Sequence, residues 1–318
     1  MKYSGIGGQA VIEGIMMMKG EDYAVAVRRP DKEIEVKKDT YQSITKKAKI
    51  LQLPFVRGVF RFADSMIIGM RSLSYSASFF EDDEDAEPGK FEQLLDRVFG
   101  EKLESAIMAA VLVISFILAI AIFMLLPLGI ANLFKGVITS DHLMAVLEGV
   151  IRIAIFIIYI KLVSRMEDIR RTFMYHGAEH KCINCVEHGH ALTGKDVRES
   201  SKEHKRCGTS FILIVMVISI LMFMVIRVDT IWMRILIRII LVPVIAGISY
   251  EVLQCAGRSN SKFMDLVSRP GMWMQGLTTK EPDDSMIEVA IAATEAVFDW
   301  REYLTENFPG WEKQLEES

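Results

Sequence analysis

Between Ser105 and Phe134 the chain has no Lys, Arg, Asp or Glu for thirty consecutive residues, and a second charge-free run of twenty extends from Cys207 to Ile226. About twenty apolar residues suffice to cross a bilayer core. So complete an absence of charge excludes solvated surface segments and points to an integral membrane protein. Clustered positive charge is also missing: 37 Lys and Arg stand against 41 Asp and Glu, net −4. Nucleic acid is therefore not an expected partner, because phosphate binding needs basic residues gathered on one surface. The opening MKYSGIGGQAVIEG has no apolar stretch long enough for a signal peptide. Cysteine is scarce, four in 318 residues, and three of the four lie within 26 residues of one another among histidines. That grouping suits metal ligands better than a disulfide frame.

The apolar runs predict four spans, at about 106–131, 143–164, 209–226 and 231–250. Lys and Arg in the connections set the orientation. The 165–207 connection carries nine of them, 132–142 only Lys135 and 227–230 only Arg227. Both termini and the central connection are therefore expected in the cytoplasm. Glu148 and Arg152 on span two, and Arg234 and Arg238 on span four, are each spaced i, i+4 on one helix face. Charges at membrane depth need partners, so a contact between Glu148 and an arginine of span four is expected.

Residues 1–80 read as a small α/β domain, with strands at Tyr23–Arg28 and Glu33–Lys38 around a Pro-Asp-Lys turn. From Phe55 the apolar residues Val59, Phe62, Met66, Met70 and Leu73 recur at helical period, with Arg57, Arg61, Asp64 and Arg71 opposite. Such a helix can lie at a membrane surface or pack on the strands. Gly58 and Gly69, which weaken a free-standing helix, favour packing. Residues 81–104 form an acidic linker and short helix, and 105–255 the membrane domain with its loop at 165–208. The remainder, 256–318, reads as a cytoplasmic loop with helical fragments, then an amphipathic helix opened by a Ser285–Glu288 capping box. The fold expected is mainly α: a polytopic four-helix membrane domain, a small α/β cytoplasmic N-terminal domain and a helical C-terminal tail.

The loop holds the chemistry. TFMYHGAEHKCINCVEHGH, 172–190, contains four of the six histidines and two of the four cysteines. His176-Gly-Ala-Glu179-His180 is the H-x-x-E-H pattern of inverted zincins. On a helix the two histidines face one way and can grip one ion. Glu179 beside them is placed to act as catalytic base on a water activated by that ion. Glu187, His204 and Cys207 are further candidate ligands, and Glu251 at the end of span four has the right depth to join them. The ion implied is a divalent transition metal, zinc before others. Two alternatives stay open: a closed structural zinc site from Cys182-x-x-Cys185 and His204-x-x-Cys207, or an interfacial cluster with no metal. His188 and His190 are expected in solvent. Glu13 could reach the cluster, but a docked segment with a satisfied carboxylate is the simpler expectation for GGQAVIEG, whose Gly7-Gly8 permits close backbone approach.

GGQAVIEGIMM, YAVAVRRPDKEI, PFVRGVFRFADS, YHGAEHKCINCVE, HKRCGTSF and EPDDSMIEVAIAA follow one another along the chain. In this combination the sequence resembles the YqhQ-like bacterial membrane proteins, a family of unknown function described as predicted metal-dependent enzymes. The resemblance implies a polytopic protein of the bacterial cell membrane. It also places His176, Glu179, His180, Glu187, His204 and Cys207 in the family's most recognisable segments. Cys182 is less typical of the pattern than Cys185, which counts against the Cys-rich site. Two functions fit: a membrane-embedded metal-dependent hydrolase, or a non-catalytic factor that sits in the lipid bilayer and docks on another membrane protein complex.

Overall fold

The computed structural model describes residues 2–80, 103–226, 230–258 and 261–311. The acidic linker therefore lies, up to residue 102, outside the described residues. In chain order the elements are β1 (Ile6–Val11), β2 (Gly14–Lys19), β3 (Asp22–Arg28), β4 (Ile34–Thr40), α1 (Val56–Ala77), α2 (Leu103–Ile120), α3 (Leu126–Asn132), α4 (Asp141–Val163), α5 (Glu167–Glu187), α6 (Gly194–Glu199), α7 (Gly208–Val225), α8 (Ile231–Arg258), α9 (Lys262–Thr278), α10 (Asp284–Val297) and α11 (Trp300–Asn307). They divide into two compact units. One comprises Met1–Phe80, Ile160–Ser219 and Arg227–Ser318, the other Glu81–Tyr159 and Ile220–Ile226.

In the larger unit the four strands form an antiparallel sheet in sequence order, through tight turns at Val11↔Gly14 and Lys19↔Asp22. Both faces are covered at the central strands β2 and β3, while β4 is largely exposed. Ile6, Ile15, Met17 and Ala26 share a core with Tyr175 and Ile183 of α5 and Met286, Ile287 and Ala290 of α10. On the other face Val11, Met16, Tyr23, Val25 and Val27 pack with Ile68 of α1. Two-sided burial explains a shortfall of the sequence reading, which anticipated β3 and β4 but not β1 and β2, and took GGQAVIEG for a docked segment. Alternation of apolar and polar residues marks a strand with one wet face; GIMMMK has none because both of its faces are dry.

Two further corrections concern the C-terminal region. The stretch expected to be a loop with helical fragments is the 17-residue helix α9, despite Pro270. Ser261 caps it by accepting the Met264 N–H. The expected tail helix is α10, and its Met286, Val289, Ala290 and Ala293 are fully buried, making it part of the sheet domain's core. Its N-cap is Asp283, which accepts from the Met286 N–H, not Ser285. Glu288 instead receives Arg28 at 2.7 Å.

Among the described residues four helices are long and apolar enough to cross a membrane, over Val113–Asn132, Asp141–Val163, Gly208–Val225 and Ile235–Gly257. In the first, a π turn at Ala121–Leu125 joins α2 to α3. Pro127 follows immediately and has no N–H for the carbonyl four residues back, which disturbs the helical ladder there. In the smaller unit Phe123 meets Phe156 and Tyr159 edge-on. Glu148 is held by Arg152 of its own helix at 2.7 Å, and Arg152 lies over the Phe223 ring. The side chain of Arg234 lies outside the described residues.

Candidate metal centre

Helix α5 carries Glu167 and Asp168 in its first turn, where its dipole favours negative charge. Two turns on, His176, Glu179 and His180 share one face, and the two imidazole centroids are 4.4 Å apart. Cys207 comes to them from the start of α7. Its carbonyl accepts the Phe211 N–H and its sulfur accepts the Thr209 N–H at 3.3 Å, so the cysteine caps the helix as a serine would. The outcome is a cluster in which one donor atom each from His176, His180 and Cys207 lie within 4.8 Å of one another. His176 Nε2 and Cys207 Sγ are 3.3 Å apart. That spacing already matches two ligands on one tetrahedral ion, about 3.5 Å for bonds of ~2.0–2.3 Å.

Both imidazoles are prepared as ligands. His176 Nδ1 lies 3.1 Å from the Thr278 carbonyl and His180 Nδ1 2.7 Å from the Lys202 carbonyl. A carbonyl only accepts, so each Nδ1 carries the proton and each Nε2 keeps its lone pair. The residues supplying these carbonyls are fastened to α5. Lys280 N donates to Phe173 O at 2.9 Å, and a Cβ on Gly177 would lie 2.1 Å from the Lys280 carbonyl. Only glycine lets the chain after α9 cross α5 that closely. Lys181 Nζ donates to the Arg198 and Ser200 carbonyls, and Asn184 Nδ2 to those of Ser201 and Glu203, which pins the 198–204 loop.

Glu179 is buried beside the pair, with Oε2 3.9 Å from His176 Nε2. Burial pushes its pKa up, opposed by His176 and by a hydrogen bond from the Gly8 backbone. A Cβ on Gly8 would meet Glu179 Cγ at 2.9 Å. The close approach that Gly7-Gly8 permits is therefore made to the carboxylate of the H-x-x-E-H motif. These groups line a cavity of about 120 Å³, together with Gly7 and Gly8 of β1, His204 and Arg206.

The five expected ligands separate. His176, His180 and Cys207 are gathered; Glu187 and His204 lie outside that group. Glu187, wholly buried, accepts from Ser4 N at 2.9 Å, Ser4 Oγ at 2.7 Å and Arg206 Nη2 at 2.5 Å, and its other oxygen is 3.4 Å from His204 Nε2. Burial opposes its charge, yet the His204 hydrogen bond and the Arg206 guanidinium hold the carboxyl at about 2. His204 is depressed to about 4, chiefly by burial, with Glu187 opposing. Its backbone N–H and carbonyl are both taken by the Gln275 amide. This network ties the N-terminus and α9 to the site without supplying donors to it.

The closed Cys-rich site is not formed. Cys182 and Cys185 are buried in the apolar core shared with the sheet and α10. Burial raises the Cys182 thiol well above its ordinary value and Cys185 to about 12, as expected of inert core thiols. Glu251 does not join the cluster either: Arg57 grips it through both guanidinium arms at 2.7 and 2.6 Å. Glu13 is the satisfied carboxylate expected of a docked segment, held by Arg171 and by the Tyr175 hydroxyl. His188 and His190 are exposed, also as expected. Thr278, Lys202, Asn184 and Gln275 were not anticipated. Of the supporting positions only Gly177, inside the motif, left a mark in the sequence.

Residues 53–300 match the model of a family described as "Protein of unknown function (DUF1385)". The chain belongs to that family. It is also 34% identical over 286 residues to "Uncharacterized protein YqhQ" of Bacillus subtilis (strain 168), covering 90% of this chain and 89% of that protein. The matched region contains α1, all three gathered donors, Glu179 and α9. No solved structure matches.

Proposed function

We propose that this family member is a multi-pass protein of the bacterial cell membrane that binds one divalent transition ion, zinc for preference, through His176, His180 and Cys207. We further propose that it works as a hydrolase with Glu179 as the catalytic base. The observation that carries the reading is the donor triad, with both Nδ1 atoms committed to backbone carbonyls. A nitrogen–nitrogen–sulfur donor set suits zinc. A bound ion would supply Lewis acidity and bring the pKa of water toward neutrality.

The chain's own groups supply the remainder. Glu179, its pKa raised by burial and its carboxylate hydrogen-bonded by the Gly8 backbone, is placed to take up and return a proton. Arg206 and the paired His204 and Glu187 hold one wall, and β1 closes the other. With only about 120 Å³ available, the reacting group is small and any larger part of a substrate stays outside. Four apolar helices support the membrane setting. The excess of Lys and Arg over 165–207 supports a cytoplasmic site and cytoplasmic termini.

Elemental analysis of purified protein tests the ion. Wild type should carry about one equivalent, and His176→Ala/His180→Ala and Cys207→Ser should carry much less. Equal metal in all three, or none in any, removes the reading. Labelling of introduced cysteines should find position 138 outside the cell and position 300 inside; the reverse overturns the orientation.

A further inference from the structure

Two helices outside the four candidate spans leave large apolar side chains uncovered within the larger unit. On α1, Phe62, Met66 and Met70 form a row at i, i+4 and i+8 and are 44%, 49% and 50% exposed. Ile50 and Leu53 extend the row ahead of the helix, alongside exposed Lys47 and Lys49. On α9, Phe263, Leu266 and Trp273 recur at i, i+3 and i+10 and are 70%, 60% and 65% exposed, with Lys262 and Arg269 exposed beside them. Isolated exposed apolar residues need no explanation, but two helix faces of this size edged by basic residues do.

Both helices are fastened to candidate spans, at the first turn of α7 and, for α1, also along the C-terminal half of α8. The Phe62 ring of α1 stacks on Phe211, in the first turn of α7, at 5.5 Å. Its N-terminus lies against α8, where Cβ atoms on Gly58 and Gly247 would meet Tyr250 and the Phe55 carbonyl, and Arg57 clasps Glu251. Helix α9 meets the same turn of α7: Gly271 abuts Ser210, and Gln275 Nε2 donates to Ser210 Oγ at 2.9 Å.

We infer that α1 and α9 are in-plane interfacial helices whose uncovered faces, Phe62–Met66–Met70 and Phe263–Leu266–Trp273, lie in the headgroup and upper acyl region of the lipid leaflet. The occupant of these faces is lipid because each helix packs against one that is itself long and apolar enough to span. Basic residues along apolar rows favour an anionic leaflet, and Trp273 is a residue type at home at that depth. Cys207, one residue before α7, then sits at the same level, so the cavity opens within reach of the membrane surface. This rests on the membrane-spanning reading above.

The test uses the full chain in nanodiscs containing anionic lipid, with Cys255→Ser removing the exposed native thiol. Nitroxides are attached singly through Met66→Cys, Met70→Cys and Leu266→Cys. Lys38→Cys on β4 serves as the aqueous reference and Ile240→Cys on α8 as the bilayer reference. Collision rates with oxygen, which partitions into lipid, are compared with those of a water-soluble nickel chelate. The oxygen-to-nickel ratio at 66, 70 and 266 should exceed that at 38 and fall below that at 240. Ratios equal to position 38, with 240 reading as lipid, overturn the inference and leave the spans intact. An aqueous reading at 240 as well removes the spans and the inference together.

Discussion

Gly177→Ala adds one methyl group at the place where the chain after α9 crosses α5. The new Cβ would stand 2.1 Å from the Lys280 carbonyl oxygen, whereas real Cβ atoms essentially never come within 3.0 Å of a neighbour. The crossing strand or α5 must therefore move by at least about 0.9 Å. The obstacle is backbone, so no side-chain rotation relieves it. The movement falls on two hydrogen bonds, Lys280 N to Phe173 O at 2.9 Å and His176 Nδ1 to Thr278 O at 3.1 Å. Stretched by such a shift, both leave hydrogen-bonding range. Overpacking of this kind costs about 1–3 kcal/mol, and loss of an orienting partner behind a ligand histidine costs about 10–100-fold in metal affinity.

Thermal unfolding in detergent and zinc competition against a chelating dye read the two effects separately. Gly276→Ala is the control, because nothing lies within 4 Å of the added methyl on α9. It should be neutral or slightly stabilising. A Gly177→Ala protein with unchanged melting temperature and zinc affinity would refute the argument that glycine here lets the crossing chain hold the Thr278 carbonyl on His176. Loss of stability with unchanged zinc affinity would confine Gly177 to a packing role.

The remaining predictions separate chemistry from support. Glu179→Gln keeps the side chain's shape and should leave metal content and abundance unchanged while complementation of a deletion strain fails, a loss of about 10²–10⁴ in rate if the glutamate is the base; a fully complementing variant would sink the hydrolase. Cys182→Ser buries a hydroxyl among apolar neighbours and should destabilise by about 1–3 kcal/mol without altering metal content, whereas Cys207→Ser should remove metal. Metal lost from Cys182→Ser and kept in Cys207→Ser would restore the closed Cys-rich site.

The sequence was most informative where one physical constraint acts alone. Long apolar runs, two of them free of charge, mark membrane-length helices because little but lipid or a large core tolerates about twenty such residues, and all four candidate spans lie close to the expected positions. H-x-x-E-H was legible for a similar reason: helical spacing alone sets two histidines and a glutamate on one face. What stayed hidden depended on pairing across long sequence distances. Glu187 and His204 have the residue types and proximity of ligands, but Ser4 and Arg206 claim the first and Gln275 fixes the second. Composition cannot distinguish a carboxylate held by an arginine from one left free for an ion. Cys182 and Cys185 present the same difficulty in reverse, since a C-x-x-C pair on a helix reads as ligands until the sheet and α10 are found to cover it.

The N-terminal GGQAVIEG shows how such distant pairings join fold to site. Gly8 supplies the close approach to Glu179, and Glu13, at a positive φ of 47° in the β1–β2 turn, anchors the hairpin to α5 through Arg171. One face of β1–β2 rests on α5 and α10, while the other rests on α1, whose outer row is uncovered. The two-sided burial of β2, which erased the strand pattern from the sequence, thus belongs to the same packing that brings Gly8 of β1 to the buried carboxylate.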